Sequence, residues 1–446
     1  MRSASGTTRW RGAAVVATLL LSATAARAQA EHAGHDMSTM SMDMDMDMDA
    51  LHGHSGGQFG GPMSREASGT SWQPEATPME MVSTEAGDWS LMLHGFANLV
   101  VDRQSGPRGG HKTFSETMLM GMAQRSLGVG TLGLRSMVSL DPTMGASGYP
   151  LLYQTGETAD GTTPLVDRQH PHDAFMELSA SYAVPFGADD RGAAFVYVGL
   201  PGEPALGPPT FMHRYSGMRN PEAPLTHHWF DSTHITFGVA TLGIVEGPVK
   251  LEGSWFNGRE PDQSRWNLET RRFDSWSTRL SYNPTPNWAL QTSYGYLKSP
   301  EALEPDTSVR RFTASASHHA SFDDGEWATT LAWARNDQRG PDGRSRLPGA
   351  FLESTYVAHD RHTFFGRCEQ VDKNELFAEG DPLHGRAFTI RKLSLGYVYD
   401  VVASGPVRWG LGGVVARARG PATLDAYRGG HPLSYLLFLQ GRIASP

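Results

Sequence analysis

Apolar and polar side chains alternate with a period of two through most of the chain. In 273–282, Trp276, Thr278, Leu280 and Tyr282 share one face of an extended segment, and Ser275, Ser277, Arg279 and Ser281 share the other. Segment 287–296 repeats this, with Trp288, Leu290, Thr292, Tyr294 and Tyr296 set against Gln291 and Ser293. Trp327, Thr329, Leu331 and Trp333 line one face of 326–335, and Leu433, Tyr435, Leu437, Leu439 and Ile443 one face of 433–443. This period belongs to a strand whose two faces meet different surroundings. Strands are predicted near 89–101, 114–125, 128–140, 173–184, 193–200, 234–243, 248–257, 273–283, 287–297, 310–321, 325–336, 349–358, 361–372, 387–400, 406–417 and 432–443.

The connections between these sixteen segments alternate in length. Short ones fall at 126–127, 185–192, 244–247, 284–286, 322–324, 359–360 and 401–405. Long ones fall at 102–113, 141–172, 201–233, 258–272, 298–309, 337–348, 373–386 and 418–431. Short turns at one end, long loops at the other and strands of about ten residues are the pattern of an even-stranded transmembrane barrel with both termini on the short-turn side. A soluble sandwich has no reason to keep its long loops together. The predicted fold class is therefore all-β, an antiparallel transmembrane β-barrel of about 16 strands. Trp89, Trp288, Trp327, Tyr397, Tyr399 and Trp409 lie near strand ends and fit interfacial girdles. Barrels of this size enclose a water-filled channel unless loops fold in. The inferred lumen face carries both signs of charge, in Lys250, Glu252, Arg279, Arg367 and Glu369, so no ion selectivity is predicted.

Export is written at the start of the chain. Arg2, Arg9 and Arg11 precede an apolar stretch from Ala13 to Ala26, and Ala28-Gln29-Ala30 supplies a small-x-small cleavage site. A signal peptide over 1–30 is expected, with the mature chain starting near Glu31. Apolar residues make up only 39% and mean hydropathy is −0.38, which leaves no helical span in the mature chain. The net charge of −9 argues against nucleic acid as a partner. Cys368 is the only cysteine and has no partner for an internal disulfide; it reads as a small apolar filler.

Behind the signal lies a stretch unlike the rest. Residues 32–54 contain six methionines, four histidines and five aspartates with no apolar period. Nothing in it builds a core, and a disordered arm is expected. Disordered tails are ordinarily rich in Pro, Glu, Ser, Gln, Lys and Gly, not Met. Thioether sulfur is a soft, uncharged ligand that selects Cu(I) and the similar Ag(I), and it has no proton to lose in acid; imidazole suits Cu(II), Zn and Ni. The candidate ligands are His32, His35, Met37, Met40, Met42, Met44, Met46, Met48, His52 and His54, bound to copper as cargo and in no single geometry.

A second candidate set sits in the two longest loops. Loop 201–233 holds Met212-His213, Met218 and His227-His228, with His234 at its end; loop 141–172 ends in His170-Pro171-His172. Both exceed the usual length of a structureless connection, and 201–233, dense in proline, is the one expected to fold into the lumen. His213, His227, His228 and His234 are metal ligands by type, although polar loop histidines bonded to backbone or water account for the same pattern. Ser317, His318 and His319 are the sole group that suggests a hydrolase, and no motif supports one, so no enzyme is expected.

An exported Met/Asp/His arm, with Met37-x-x-Met40 and Met40-x-Met42-x-Met44-x-Met46-x-Met48, ahead of an outer-membrane barrel resembles the copper-resistance protein B family. The resemblance at motif level covers the arm alone; the barrel is similar in architecture. It implies periplasmic copper handling. The expected organisation is a signal peptide at 1–30, a disordered periplasmic arm and linker at 31–88, and an outer-membrane barrel at 89–446 in a Gram-negative cell. The expected function is copper or silver tolerance, with lipid, copper ions and periplasmic copper proteins as partners. The alternatives are a general porin-like channel for small solutes with an incidental tail, and an outer-membrane hydrolase. Oligomeric state is left open.

Overall fold

The computed structural model describes residues 56–187, 192–341 and 343–444, so the signal segment and the arm ligands His32 to His54 lie outside the described residues. Nineteen strands form, which we number in chain order: β1 (Val82–Ala86), β2 (Trp89–Gln104), β3 (Gly110–Leu127), β4 (Gly130–Val138), β5 (Tyr149–Thr158), β6 (Pro164–Gln169), β7 (Phe175–Phe186), β8 (Gly192–Gly199), β9 (Val239–Glu246), β10 (Val249–Phe256), β11 (Ser275–Thr285), β12 (Trp288–Lys298), β13 (Ser308–Phe322), β14 (Gly325–Gly340), β15 (Gly343–Ala358), β16 (His362–Lys373), β17 (Phe388–Val402), β18 (Val407–Arg419) and β19 (Leu433–Ile443). β2–β4 and β7–β19 pair antiparallel with their neighbours, and β19 pairs back onto β2, which closes a sixteen-stranded barrel. β19 covers Phe96 to Gln104 of β2, while β1 pairs with Trp89 to Leu93 of the same strand.

All sixteen expected wall strands are present. The largest late start is at β9, expected from 234 and observed from Val239. Ile235 and Phe237 are both buried, and Gly238 at φ 113° turns the chain from the interior into the wall. Two expected long loops, 102–113 and 337–348, are largely strand, with ladders running to Gln104 opposite Gly110 and to Gly340 opposite Gly343. The second extension is polar (Asp337, Arg339, Arg344, Arg346), and a hairpin beyond the lipid needs no apolar face to betray it.

Burial is inverted relative to a soluble protein. Leu437 is 67% and Leu395 60% exposed on the outer face, while Lys250 and Lys373 are 0% exposed inside. Side-chain parity produces this directly. Leu251 faces Leu280 across one ladder and Ile244 across the other, all outward, whereas Glu252 faces Arg279 inward. Such a wall has hydrocarbon as its outer solvent. The six expected girdle aromatics all lie toward the short-turn end of their strands. Cys368 falls on the exposed outer face and fills no core.

The lumen is packed. Residues 200–238 are buried almost throughout, as expected for the loop that folds inward, and they bring the one-turn helix His227–Phe230 with them. Strand β5 of the other long loop is buried throughout, and β6 buries every second residue against it. Part of the expected linker joins them: residues 56–81 run inside the short-turn end, where Arg65 Nη1 donates to Gly247 O at 2.8 Å and Ala76 N to Pro286 O at 2.9 Å.

Buried ion pairs fasten this filling to the wall all round. Arg214 bridges Glu353 on β15 at 2.7 Å and Asp231 at 2.9 Å. Glu222 pairs with Lys392 on β17 at 2.6 Å, and Arg367 on β16 donates to Glu222 O at 2.9 Å. Arg279 on β11 reaches Gly207 O at 3.0 Å, and Arg135 on β4 reaches Gly69 O at 2.6 Å. A buried charge is tolerated only when paired and hydrogen-bonded. These wall charges therefore specify where the filling sits instead of lining an open pore.

Candidate functional site

The two inward loops bring five histidines into a string of ring contacts. His170 and His228 lie 5.9 Å apart between centroids, His228 and His227 5.5 Å, His227 and His234 5.2 Å, and His234 and His172 5.3 Å. All five are buried. His227 and His228 belong to the one-turn helix and His234 to the 3-10 turn after it, while His170 and His172 sit just before β7. Of the expected loop ligands, the fold thus brings His227, His228 and His234 together, and adds His170 and His172 from the neighbouring loop.

Four of these rings are oriented through Nδ1. His227 Nδ1 lies 2.8 Å from Asp231 Oδ1, His172 Nδ1 2.8 Å from Asp141 Oδ2, His234 Nδ1 2.8 Å from Asp231 O, and His170 Nδ1 3.1 Å from Pro171 O. A ring that donates Nδ1–H to such an oxygen leaves Nε2 with a lone pair, the arrangement that orients metal-bound imidazoles. Nε2 of His170, His228 and His234 is buried with no hydrogen-bond partner. An unpartnered buried nitrogen is costly unless something else satisfies it.

Carboxylates gather at one end of the string. Donor atoms of His170, His228 and Glu260 lie within 4.8 Å of one another. Glu157 Oε1 is 3.5 Å from His170 Nε2, and Glu301 Oε1 is 3.9 Å from His228 Nδ1. Two imidazoles and a carboxylate suit a borderline divalent ion such as Zn(II) or Cu(II), with bonds of about 2.1 Å reached by small side-chain shifts. Glycine makes the approach possible, because a Cβ on Gly156, at φ 115°, would fall 1.8 Å from His228 Cε1.

Burial sets the charge states. It pushes His170 down to about 3 and His228 and His234 well below the ordinary value, the latter two also through the charge of His227. His170, His228 and His234 stay neutral and ligand-competent at neutral pH. Burial lifts Glu260 to about 7, and burial with the charge of Glu260 lifts Glu301 well above its usual range. Asp231 goes the other way: burial works to raise it, but His227 and Arg214 outweigh that and hold it low.

His213 lies elsewhere, beside His94 of β2 at 5.9 Å, and its Nε2 is also buried without a partner. Sequence reasoning missed His94, whose inward position on β2 was legible from strand parity, and Glu260, which sits in an irregular loop. The hydrolase grouping does not assemble. Ser317 Oγ meets Thr330 Oγ1 at 3.0 Å, while His318 points outward against Trp288 at 4.6 Å and His319 inward against Tyr215 at 5.1 Å.

A closed sixteen-stranded wall, apolar outside and charged within, defines a porin-like outer-membrane β-barrel. Among solved structures the chain is similar to an anion-selective porin from Comamonas acidovorans, at 11% identity over 80% of this chain and 100% of that one, with a TM-score of 0.48. It is also similar to the outer membrane channel DcaP of Acinetobacter baumannii (9%, 82% and 100%, 0.45) and to Salmonella typhi OmpF in complex with daunomycin (9%, 80% and 100%, 0.45). No protein-family model matches the chain, and no curated protein matches it.

Proposed function

We propose that this chain is an outer-membrane barrel for copper or silver tolerance. Its periplasmic arm, His32 to His54, captures soft metal, and the barrel holds it or passes it outward through internal ligand sites. The observation that carries the reading is the buried histidine string, in which Nε2 of His170, His228 and His234 is left without a hydrogen-bond partner between two loops packed in the lumen. Repeated Met-x-Met sites in the arm keep captured metal mobile, because many weak equivalent sites exchange.

The second reading, a general porin-like channel for small solutes, fits the barrel fold, and residues 56–81, 200–238 and strand β5 would narrow its lumen. The test is cell-associated copper under copper stress in strains carrying the full chain, the chain without 32–54, and no chain. The expected result is that losing the arm changes copper content as much as losing the whole chain. Equal copper in all three strains would overturn the reading.

A further inference from the structure

A cavity lies at the short-turn end, between residues 56–81 and the wall. It encloses about 80 Å³, and six of its fifteen lining residues are methionines. Those six are half of the methionines found beyond residue 55. The wall contribution follows from strand parity: Met118-x-Met120-x-Met122 on β3 puts all three side chains on the inner face, at the spacing of the arm's Met-x-Met repeat. His94 of β2 sits directly opposite Met120, and Met120 in turn faces Met137 of β4. Such cross-strand neighbours lie within about 4.5–5.5 Å at Cβ. Met63 closes the chamber from the inner segment, and Met218 and His213 close it from the inward loop.

Methionine is also an ordinary filler of irregular core space. Filler alone does not account for the histidines. His94 holds Nδ1 2.6 Å from Glu80 O, which directs Nε2 away from that bond. His213 Nε2 is buried and unpartnered. Two carboxylates also line it: Glu80 is paired through Oε1 with Arg219 and Arg442, and Glu66 Oε1 accepts from Phe59 N at 2.9 Å, while the other oxygen of each is buried without a hydrogen-bond partner. Against these two carboxylates stand six thioethers and two imidazoles, a set in which soft donors predominate and which favours a soft monovalent ion over Mg(II).

We propose that this chamber binds Cu(I) through the thioethers of Met63, Met120, Met122 and Met218 and the imidazoles of His94 and His213. It is then the first internal station on the metal path, chemically matched to the arm and distinct from the harder histidine–carboxylate cluster at the long-loop end. The proposal rests on the metal-handling reading for its biological meaning, but its chemistry is tested separately.

Full-length mature protein in detergent micelles is titrated with Cu(I), without oxygen, against bicinchoninate as competitor. The comparison is between the native chain, an arm variant with Met37, Met40, Met42, Met44, Met46 and Met48 changed to Ser, and a chamber variant carrying M120L, M122L and H213Q. The leucine exchanges conserve volume, so the fold is expected to persist. The expected result is that the chamber variant loses about one Cu(I) per chain, which the arm variant retains. Undiminished Cu(I) binding by a folded chamber variant overturns the proposal. If that variant fails to fold, Ag(I) added to the arm variant labelled with methyl-13C methionine decides. Shifts of the chamber methyl resonances support the site, and their absence overturns it. Chamber binding without any cellular copper phenotype removes the proposed function and leaves the site; a copper phenotype without chamber binding does the reverse.

Discussion

Glu353 shows how much one side chain can hold. Its two oxygens meet Arg214 at 2.7 Å and Arg367 at 3.1 Å, and Ser216 Oγ donates at 3.0 Å. Glu353→Gln takes the charged partner from Arg367 and leaves Arg214 with Asp231 alone, a change costing roughly 3–5 kcal/mol. Because Arg214 belongs to the inward loop, the expected first symptom is loosening of that loop inside a standing wall. Faster protease cleavage within 200–238, with unchanged β content by circular dichroism, is the readout. The histidines give a second handle at this scale. His170 and His213 are depressed to about 3 in the folded chain, against about 6.5 when unfolded. Below pH 6.5 the unfolded loops therefore bind more protons than the folded ones, so stability present at neutral pH is lost progressively toward pH 3. Quenching of Trp229 fluorescence is expected to rise across that window, and a flat profile from pH 7 to 4 would contradict it.

At the scale of elements, the sequence and the structure diverge along a physical line. Every wall strand was legible, because hydrocarbon on one side and a polar lumen on the other impose a period of two that local sequence must display. The filling carries no such constraint. Residues 56–81 hold short turns and isolated bridges, and their partners, such as Gly247, Pro286 and Glu252, lie about two hundred residues away. Three of the five histidines of the string were named as ligands from composition, but its geometry required two loops to meet, as they do where Gly156 faces His228. Gly156→Ala is expected to displace His228 while leaving the barrel intact. Its signature would be weaker divalent metal binding at the string with unchanged Cu(I) binding elsewhere.

For the whole molecule, wall and filling together predict a barrel with porin dimensions and little porin behaviour. Planar-bilayer recordings should show small or absent conductance, rising once Arg214 and Glu222 are both replaced by alanine and the inward loop is released. Steady large openings in the native chain would contradict the packed interior. Closure adds a further consequence. β19 meets β2 across a separation such as Gln104 to Ser434, 330 positions apart, whereas the other wall pairings join segments much nearer in sequence. Contacts that distant form slowly, after local hairpins are in place. Contents that are in place before that last seam zips need no entry through either mouth, so assembly is expected to be a wrapping process, with residues 56–81 and the two loops as the former around which the sheet is rolled.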